Sequence, residues 1–186
     1  MKVINLYQEE NEIIQLAVEN NRQAQQKIYS QFSPKMLGVC RQYIKDIHQA
    51  EDIMITAFMK VFVNLKNFQH QGSFEGWIRR IMVNECISFI RVQKKVSFVE
   101  DETFFDETFN NVESQFSVDD IQFLIDSLPE GYKMVFNLYA IEGFKHKEIA
   151  NMLEINEGTS KSQLSHARKM LQGQINKLKN YEYGTE

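Results

Sequence analysis

Wherever apolar residues recur regularly in this chain, they have the spacing of an α-helix. This periodicity constrains the fold more than any other feature of the sequence. The longest regular run lies between Ile47 and Leu65, where apolar residues stand at i, i+3, i+4 and i+7. Only 8 Gly and 2 Pro occur among the 186 residues, too few for the many turns of a β-sandwich or barrel. The pattern predicts an all-α protein, with a break at Asn20 and Asn21 and a new helix opening at Pro34.

Charge divides the chain into three parts. The stretch 96–132 has no Lys or Arg and carries ten acidic residues. Residues 1–95 carry 13 basic and 9 acidic side chains, and residues 133–186 carry 8 and 6, so both flanking parts are mildly basic although the formal net charge of the chain is −4. The sequence predicts a helical domain over 1–95, an acidic flexible linker over 96–118 and a second helical domain over 119–186.

Several classes of protein are excluded by what the chain lacks. No apolar run approaches the roughly 18 residues that a membrane span requires, and the N-terminal residues lack the apolar segment of a signal peptide. Cys40 and Cys86 are in neither zinc-ligand nor redox spacing. No carboxylate cluster, Gly-rich phosphate loop, nucleophile–base pair or set of histidines at metal-ligand spacing stands out. We therefore expect a cytoplasmic protein that is not an enzyme, does not insert into a membrane and holds neither metal nor cofactor.

The segment from His146 to Leu171 has the pattern of a helix-turn-helix. A short helix is followed by a turn at Glu154-Ile155, and Asn156 is a good N-cap for the second helix. Residues predicted to face inward are Ile149, Ala150 and Leu153, then Leu164, Ala167 and Leu171. Residues predicted to face outward, able to meet phosphates and base edges, are Gly158, Lys161, Ser162, Ser165, His166 and Lys169. A solvated helical hairpin would also fit, and Ser160 stands where an apolar residue normally packs against Ile155.

Three stretches of the chain occur in a recognisable order. They are HQAEDIMITAFMKVFVNLKNF (48–68), GSFEGWIRRIMVNECISFIR (72–91) and LPEGYKMVFNLYAIEGFKHKEIANMLEINEGTSKSQLSHARKML (128–171). The first two resemble the core-binding helix and the promoter-melting helix of the sigma factors of bacterial RNA polymerase, and the third resembles the promoter-reading C-terminal domain of that family. With the helices upstream, the resemblance covers about residues 10–175 in the family's order. The lack of a third folded domain between the halves is similar to the extracytoplasmic-function (ECF) group.

The resemblance implies that the helix 48–65 binds the clamp helices of the polymerase core. Ile55, Met59 and Val63 form a second apolar row at i, i+4 and i+8, which must be covered either by the domain's own first helix or by a partner. The family usually has Gln and Glu where this chain has Ile55 and Thr56, so core binding here is expected to rest on apolar contact. The expected core-binding residues are Asp52, Ile55, Thr56, Met59 and Val63.

Promoter contacts are implied by the same resemblance. The residues that share one face of the helix 74–92, at spacings of 4, 3 and 4, are Arg80, Asn84, Ile87 and Arg91. Arginine can hold phosphates and asparagine can read a base edge, so this face is expected to meet the −10 element. Residues expected to point to the core are Phe74, Trp77, Ile78, Ile81 and Phe89. The loop residues Asn67, Phe68 and Ser73 match the loop that captures a flipped base.

The C-terminal domain is expected to read the −35 element. The residues implied are Thr159, Lys161, Ser162, Ser165, His166 and Lys169. Family members commonly have Arg where this chain has Gln163 and His166, and Asp where it has Ser88, so an unusual preferred promoter sequence is expected. The acidic linker either mimics nucleic acid inside the polymerase or acts as a plain tether.

The implied function is that of a sigma factor, which binds core polymerase and directs promoter-specific initiation. The implied partners are core RNA polymerase, through its clamp helices and flap, promoter DNA, and an anti-sigma factor that can be membrane-bound. One alternative is an autonomous helix-turn-helix transcriptional regulator that binds its operator without core. A DNA recombinase with an appended helix-turn-helix has little support, and a relic that binds core without initiating stays open.

Overall fold

A computed structural model describes residues 2–93 and 117–182 of the chain. Every regular element in those residues is helical, which confirms the predicted all-α class. The helices are α1 (Lys2–Val18), α2 (Arg22–Tyr43), α3 (Ile47–Asn64), α4 (Phe74–Gln93), α5 (Val118–Asp126), α6 (Glu130–Phe136), α7 (His146–Leu153) and α8 (Glu157–Glu182). A 3-10 turn (Leu65–Asn67) follows α3, and a π-helical turn (Asn137–Ile141) follows α6. The chain forms two compact units, Met1–Gln93 and Lys94–Glu186.

The first unit is built around α2, which packs against α1, α3 and α4. Its fully buried side chains come from all four helices and include Ile14, Ile28, Met36, Phe58, Phe74 and Met82. Aromatic rings join the helices: Tyr29 meets Phe58 edge-on with ring centroids 4.9 Å apart, and Phe32 meets Phe74 at 5.6 Å. Burial of each such side chain stabilises the unit by about 1.5–3 kcal/mol. Packing rather than helix propensity therefore holds the four helices together.

Polar side chains explain where the helices of this unit begin. Asn21 caps α2 by accepting hydrogen bonds from two backbone N–H groups of the first turn, at 3.0 and 3.1 Å. Asn20 just before it takes a left-handed φ of 62°, so the predicted break at these two residues is confirmed. Asp46 caps α3, accepting from the Gln49 N–H at 2.8 Å. Each cap contributes about 1 kcal/mol to stability.

Pro34 lies inside α2 rather than at the start of a helix, so that prediction was wrong. Proline has no N–H to donate to the carbonyl of Ser30, one turn earlier, which weakens the helix locally. The buried stripe nevertheless continues on both sides of it, through Ile28, Phe32, Met36 and Val39. Tertiary packing of this stripe outweighs the lost backbone hydrogen bond.

Cys40 of α2 and Cys86 of α4 are neighbours in the core of the first unit. Both side chains are fully buried, and both thiols are free of disulfides. The hydrogen bond with Cys40, together with burial, raises the pKa of the Cys86 thiol. Cys86 is therefore protonated at neutral pH and packs as a small apolar group.

The second unit is organised by α8, which packs against α5, α6 and α7. Leu124, Leu128, Ala167 and Leu171 form a buried cluster, bordered by Tyr132, Phe136 and Ile175. Lys133 of α6 is buried and paired with the carboxylate of Asp126 on α5. Because removal of either partner would leave a poorly solvated charge, this pair fixes α5 against α6.

The predicted acidic linker over 96–118 lies almost wholly in residues 94–116, which fall outside the described residues. Its role therefore stays a prediction. The predicted limits of the two domains, 1–95 and 119–186, stay predictions for the same reason.

Candidate core-binding and nucleic-acid interfaces

The second apolar row of α3 is open to solvent. Ile55, Met59 and Val63 are 50%, 63% and 71% exposed. The opposite face of the helix supplies the core through Ala50, Ile53, Met54, Ala57, Phe58 and Val61. Since α1 packs against α2 and the 3-10 turn and leaves the row uncovered, the alternative that the domain's own first helix buries it was wrong.

Polar groups next to this apolar row are held within the first unit. Thr56 is exposed, and its hydroxyl donates to the backbone carbonyl of Asp52 at 2.9 Å. Asp52 is exposed as well. Lys60 reaches Glu85 of α4 at 2.5 Å, which ties α3 to α4. The surface offered by α3 is thus an apolar row on a helix whose orientation is fixed by its neighbour.

The exposed face of α4 differs by one position from the predicted one. Arg80, Asn84 and Arg91 are exposed as expected, but Ile87 is only 3% exposed and belongs to the core, so its assignment to this face was wrong. Ser88 takes its place in the exposed row, and its hydroxyl donates to the Asn84 backbone carbonyl at 2.9 Å. The spacing of 80, 84 and 88 is the i, i+4, i+8 signal that would have found it.

The buried stripe of α4 explains this correction. It runs through Phe74, Ile78, Met82, Val83, Cys86, Ile87 and Ile90. Ile81, Phe89 and Trp77, which were predicted to point to the core, are only half-buried. Because α4 packs against both α2 and α3, its buried stripe is wide and turned toward the space between them.

The loop between α3 and α4 is anchored by an aromatic cluster. Phe68 is 9% exposed, and its ring lies 4.7 Å from His70, 5.1 Å from Phe74 and 5.5 Å from Trp77, centroid to centroid. Phe68 is therefore part of the packing and is not available to stack on a base, contrary to the prediction. Its burial fixes the base of the loop.

The other predicted residues of this loop remain at the surface. Ser73 caps α4, with its hydroxyl oxygen accepting from the Gly76 N–H at 3.0 Å. Asn67 is exposed at the end of the 3-10 turn. His70 and Gly72 have φ of 56° and 99°, so the loop turns sharply between the two. The geometry leaves Asn67 and Ser73 beside a tight turn at the head of α4.

The predicted helix-turn-helix is present between α7 and α8. Glu154 takes a left-handed conformation with φ 56° and ψ 40°, and Asn156 then caps α8 by accepting from the Thr159 N–H at 2.7 Å. The inward residues are buried as predicted, namely Ile149, Ala150, Leu153, Leu164, Ala167 and Leu171. This confirms the fold expected for the C-terminal unit.

The outward face of α8 is narrower than predicted. Lys161 and Lys169 are exposed, and Ser165 and His166 are half-buried. Thr159 and Ser162 are each only 6% exposed, so their assignment to the DNA-facing surface was wrong. Their hydroxyls are also used locally, since Thr159 Oγ1 donates to the Asn156 side chain at 2.9 Å and Ser162 Oγ donates to the Thr159 carbonyl at 3.1 Å.

Lys161 and His166 each contact a neighbouring side chain. Lys161 pairs with Glu157 one turn earlier at 2.7 Å, and its hydrogen bond lowers the pKa of that carboxyl. The His166 ring stacks on Tyr132 with centroids 5.5 Å apart and planes 14° apart. The Lys161 ammonium is thus exposed on α8, where it can contact a polyanion, whereas the half-buried His166 keeps its Nε2 enclosed.

Ser160 and His146 contact each other, and the sequence patterns did not predict this contact. Ser160 is fully buried, and its hydroxyl lies 2.9 Å from Nδ1 of His146. The signal in the sequence was the polar residue at a position that normally takes an apolar one.

Residues 2–93 and 117–182 contain no cluster of His, Cys, Asp and Glu that could hold a metal ion. None of the described helices is both long and apolar enough to cross a membrane.

Two family models match the chain, in the order expected. The model of Sigma-70 region 2 matches residues 28–96, and the model of Sigma-70 region 4 matches residues 119–171. The first match includes α3 and α4, and the second ends at Leu171 within α8. An autonomous helix-turn-helix regulator would leave the match to region 2 unexplained.

Relatives resemble the chain over most of their length. RNA polymerase sigma factor SigV of Bacillus subtilis is 29% identical over 135 residues, which are 73% of this chain and 81% of the relative. ECF RNA polymerase sigma factor SigM of the same species is 25% identical over 84% of this chain and 98% of its own. The fold is similar to that of the sigma factor RpoE of Bartonella quintana in complex with the anti-sigma factor NepR, with a TM-score of 0.51, 20% identity and coverage of 81% of this chain and 96% of that one. The chain belongs to the sigma-70 family of bacterial RNA polymerase sigma factors, in the ECF group.

Proposed function

We propose that this sigma factor binds core RNA polymerase through the exposed apolar row of α3 and directs initiation at promoters that α4 and α8 recognise. The observation that carries the proposal is the exposure of Ile55, Met59 and Val63 on a helix whose other face is fully packed. Contiguous apolar side chains exposed in this way mark a binding surface. The clamp helices of the core are the partner that family membership supports.

Apolar contact replaces hydrogen bonding at the centre of this interface. Ile55 stands where the family usually has a glutamine, and the hydroxyl of Thr56 is directed back to the helix backbone. Covering the three apolar side chains on α3 would contribute about 1–2 kcal/mol each, since they are partly exposed rather than fully exposed before binding. Asp52 and Thr56 would lie at the rim, where polar contacts orient the partners.

The −10 element is read, in this proposal, by the row Arg80, Asn84, Ser88 and Arg91 on α4. Arginine side chains hold backbone phosphates, while the Asn84 amide has both a donor and an acceptor for a base edge. Ser88, where the family commonly has an acid, leaves this row without a negative charge. Asn67 and Ser73 in the preceding loop would line the place of a flipped base.

The −35 element is read, in this proposal, by α8, with the exposed Lys161 and Lys169 and the half-buried Ser165 and His166 as the contacting side chains. Two lysines and a half-buried histidine provide modest affinity, because each phosphate contact adds only a fraction of the total. Binding through core polymerase makes the second DNA contact effectively intramolecular, and this would supply the rest. The protein would act as a noncatalytic initiation subunit in the cytoplasm.

An anti-sigma factor is a further partner that we propose. The related sigma factor of Bartonella quintana was solved in complex with one. A partner that covers the apolar row of α3 would exclude the clamp helices, and inhibition would follow from competition for one surface.

Run-off transcription tests the proposal. Purified core polymerase and a library of randomised promoters are incubated with and without the protein, and the transcripts are sequenced. Start-site-specific transcripts that depend on the protein and share two spaced motifs would support the proposal. Motif-specific DNA binding without core, and no dependent transcripts, would instead favour the autonomous regulator, while core binding without initiation would favour the relic.

A further inference from the structure

The two helices of the helix-turn-helix meet through a polar contact. Ser160 lies one turn into α8 and is fully buried, and its Oγ is 2.9 Å from Nδ1 of His146, the first residue of α7. A hydrogen-bonded pair in a poorly solvated place is directional and admits one geometry, whereas an apolar contact tolerates small shifts. This hydrogen bond therefore adds a directional restraint to the contact between α7 and α8.

The His146 ring is held on its face as well. Tyr139 of the π-helical turn stacks on it, with centroids 4.6 Å apart and planes 23° apart. The guanidinium of Arg168 on α8 lies 5.5 Å from the centroid of the same Tyr139 ring. Ser160, His146, Tyr139 and Arg168 form one connected group, named here the bracket. It ties α8 at two points, eight residues apart, to the elements that precede it.

We propose that the bracket positions α8 for recognition of the −35 element, with His146 and Ser160 as positioning residues. This rests on the proposed function, in which α8 reads that element. Lys161 and Ser165 lie on α8 between the two points that the bracket holds. A small rotation of α8 against α7 would move both side chains relative to the base edges. Contacts to base edges tolerate displacements of less than about 1 Å.

The surroundings of His146 favour its neutral form. Burial lowers its pKa below the ordinary 6.5, and the cations Lys161 and Arg168 lower it further, while Glu157 opposes them. A histidine with a depressed folded-state pKa contributes stability that is complete above about pH 6.5 and is lost as the pH falls below it. His146 is therefore neutral in the folded protein at neutral pH and adds no positive charge beside Ser160.

Three variants separate the contacts of the bracket. His146→Asn keeps an amide group near the position of Nδ1 for Ser160 but removes the stack on Tyr139. His146→Phe keeps the stack but removes the hydrogen bond. The double variant His146→Phe with Ser160→Val replaces the polar pair by an apolar one, a change that is nearly neutral for stability.

Ser127→Ala is the matched control. It removes a serine side chain that is hydrogen-bonded to Gln174 of the same long helix, at 2.9 Å from the Gln174 amide nitrogen. The lost bond is similar in kind to that of Ser160 but lies outside the bracket. A general weakening of α8 would therefore show in the control as well.

The experiment uses holoenzyme reconstituted with the full chain and promoters randomised in the −35 element. In the double variant, discrimination between the preferred −35 sequence and its single substitutions should fall about three- to tenfold, the equivalent of one hydrogen bond. The −10 preference, and the −35 profile of the Ser127→Ala control, should stay as in the wild type.

An unchanged −35 profile in a folded double variant would overturn the proposal. Wild-type holoenzyme that initiates without any −35 preference would overturn the role of α8 itself, and the role of the bracket with it. Where the double variant fails to fold, the two single variants decide the matter. Reduced −35 selectivity in His146→Phe, with or without a reduction in His146→Asn, supports the bracket, and wild-type profiles in both variants overturn it.

Discussion

The side chains on the two faces of α3 have different expected roles, one in folding and the other in binding. The buried stripe of the helix, with Phe58 and Val61 fully enclosed, accounts for its packing. Ile55, Met59 and Val63 contribute little to that packing because half or more of each side chain faces solvent. Substitutions in the exposed row are therefore expected to change affinity while leaving the fold intact.

Ile55→Gln and Met59→Gln are each expected to weaken binding to core polymerase about five- to tenfold. Loss of about 1–1.4 kcal/mol of apolar burial at the interface is the physical reason. Affinity is measured by fluorescence anisotropy with labelled protein, and the free energy of unfolding by urea denaturation should change by less than about 0.5 kcal/mol. Leu16→Gln on α1, at a residue of 45% exposure, is the control. An equal loss in the control, or unfolding of Ile55→Gln, would contradict the assignment.

Ile87 and Ser88 are neighbours in α4 with opposite expected effects. Ile87→Ala should lower the free energy of unfolding by about 2–5 kcal/mol, because it removes a buried side chain and leaves a cavity. Ser88→Ala should change it by less than about 0.5 kcal/mol, since the residue is exposed. Urea denaturation of both variants checks this, and a stable Ile87→Ala variant with impaired promoter opening would restore the original assignment of Ile87 to the DNA-facing row.

At the scale of helices, the sequence predicted which residues form a helix better than it predicted which face of that helix is buried. Asn21, Asp46 and Ser73 marked helix limits correctly, because a cap depends on residues within one turn. The orientation of α4 depends on α2 and α3, which its own spacing does not specify, and Ile87 was misplaced for that reason. The Ser160–His146 bond joins residues 14 positions apart and was not predictable from periodicity at all.

The cap of α8 gives a prediction at this scale. Asn156→Ala should lower the free energy of unfolding by about 1 kcal/mol, since Asn156 accepts from both the N–H and the hydroxyl of Thr159. The first turn of α8 would also fray, which should reduce −35-dependent transcription. Thermal denaturation and run-off transcription check the two effects. Asn151→Ala at an exposed position of α7 is the control, and a similar stability loss there would remove the special role of the cap.

At the scale of the whole molecule, the proposed function divides affinity for DNA between two mildly basic parts of the chain. Residues 1–95 and 133–186 carry net charges of about +4 and +2, and the acidic stretch between them brings the chain to −4. Such charges give weak, salt-sensitive attraction to DNA rather than tight binding. Specificity at the molecular scale is thus a property of the holoenzyme in the proposed function.

The protein without core polymerase is accordingly expected to bind DNA without motif preference at about 0.15 M salt. Addition of core should produce selection of two spaced motifs, because the second contact then becomes intramolecular. Binding to a randomised library followed by sequencing, with and without core, measures the difference. Enrichment of the same motifs by the protein alone would contradict this division of affinity.

The enclosed cysteines of the first unit make the molecule convenient for chemical labelling. Thiol reagents act on accessible thiolates, and Cys40 and Cys86 are both fully enclosed. A cysteine introduced at Val63, which is 71% exposed, would therefore react selectively without removal of the native pair. A photo-crosslinker or fluorophore attached there would report directly on what covers the apolar row of α3.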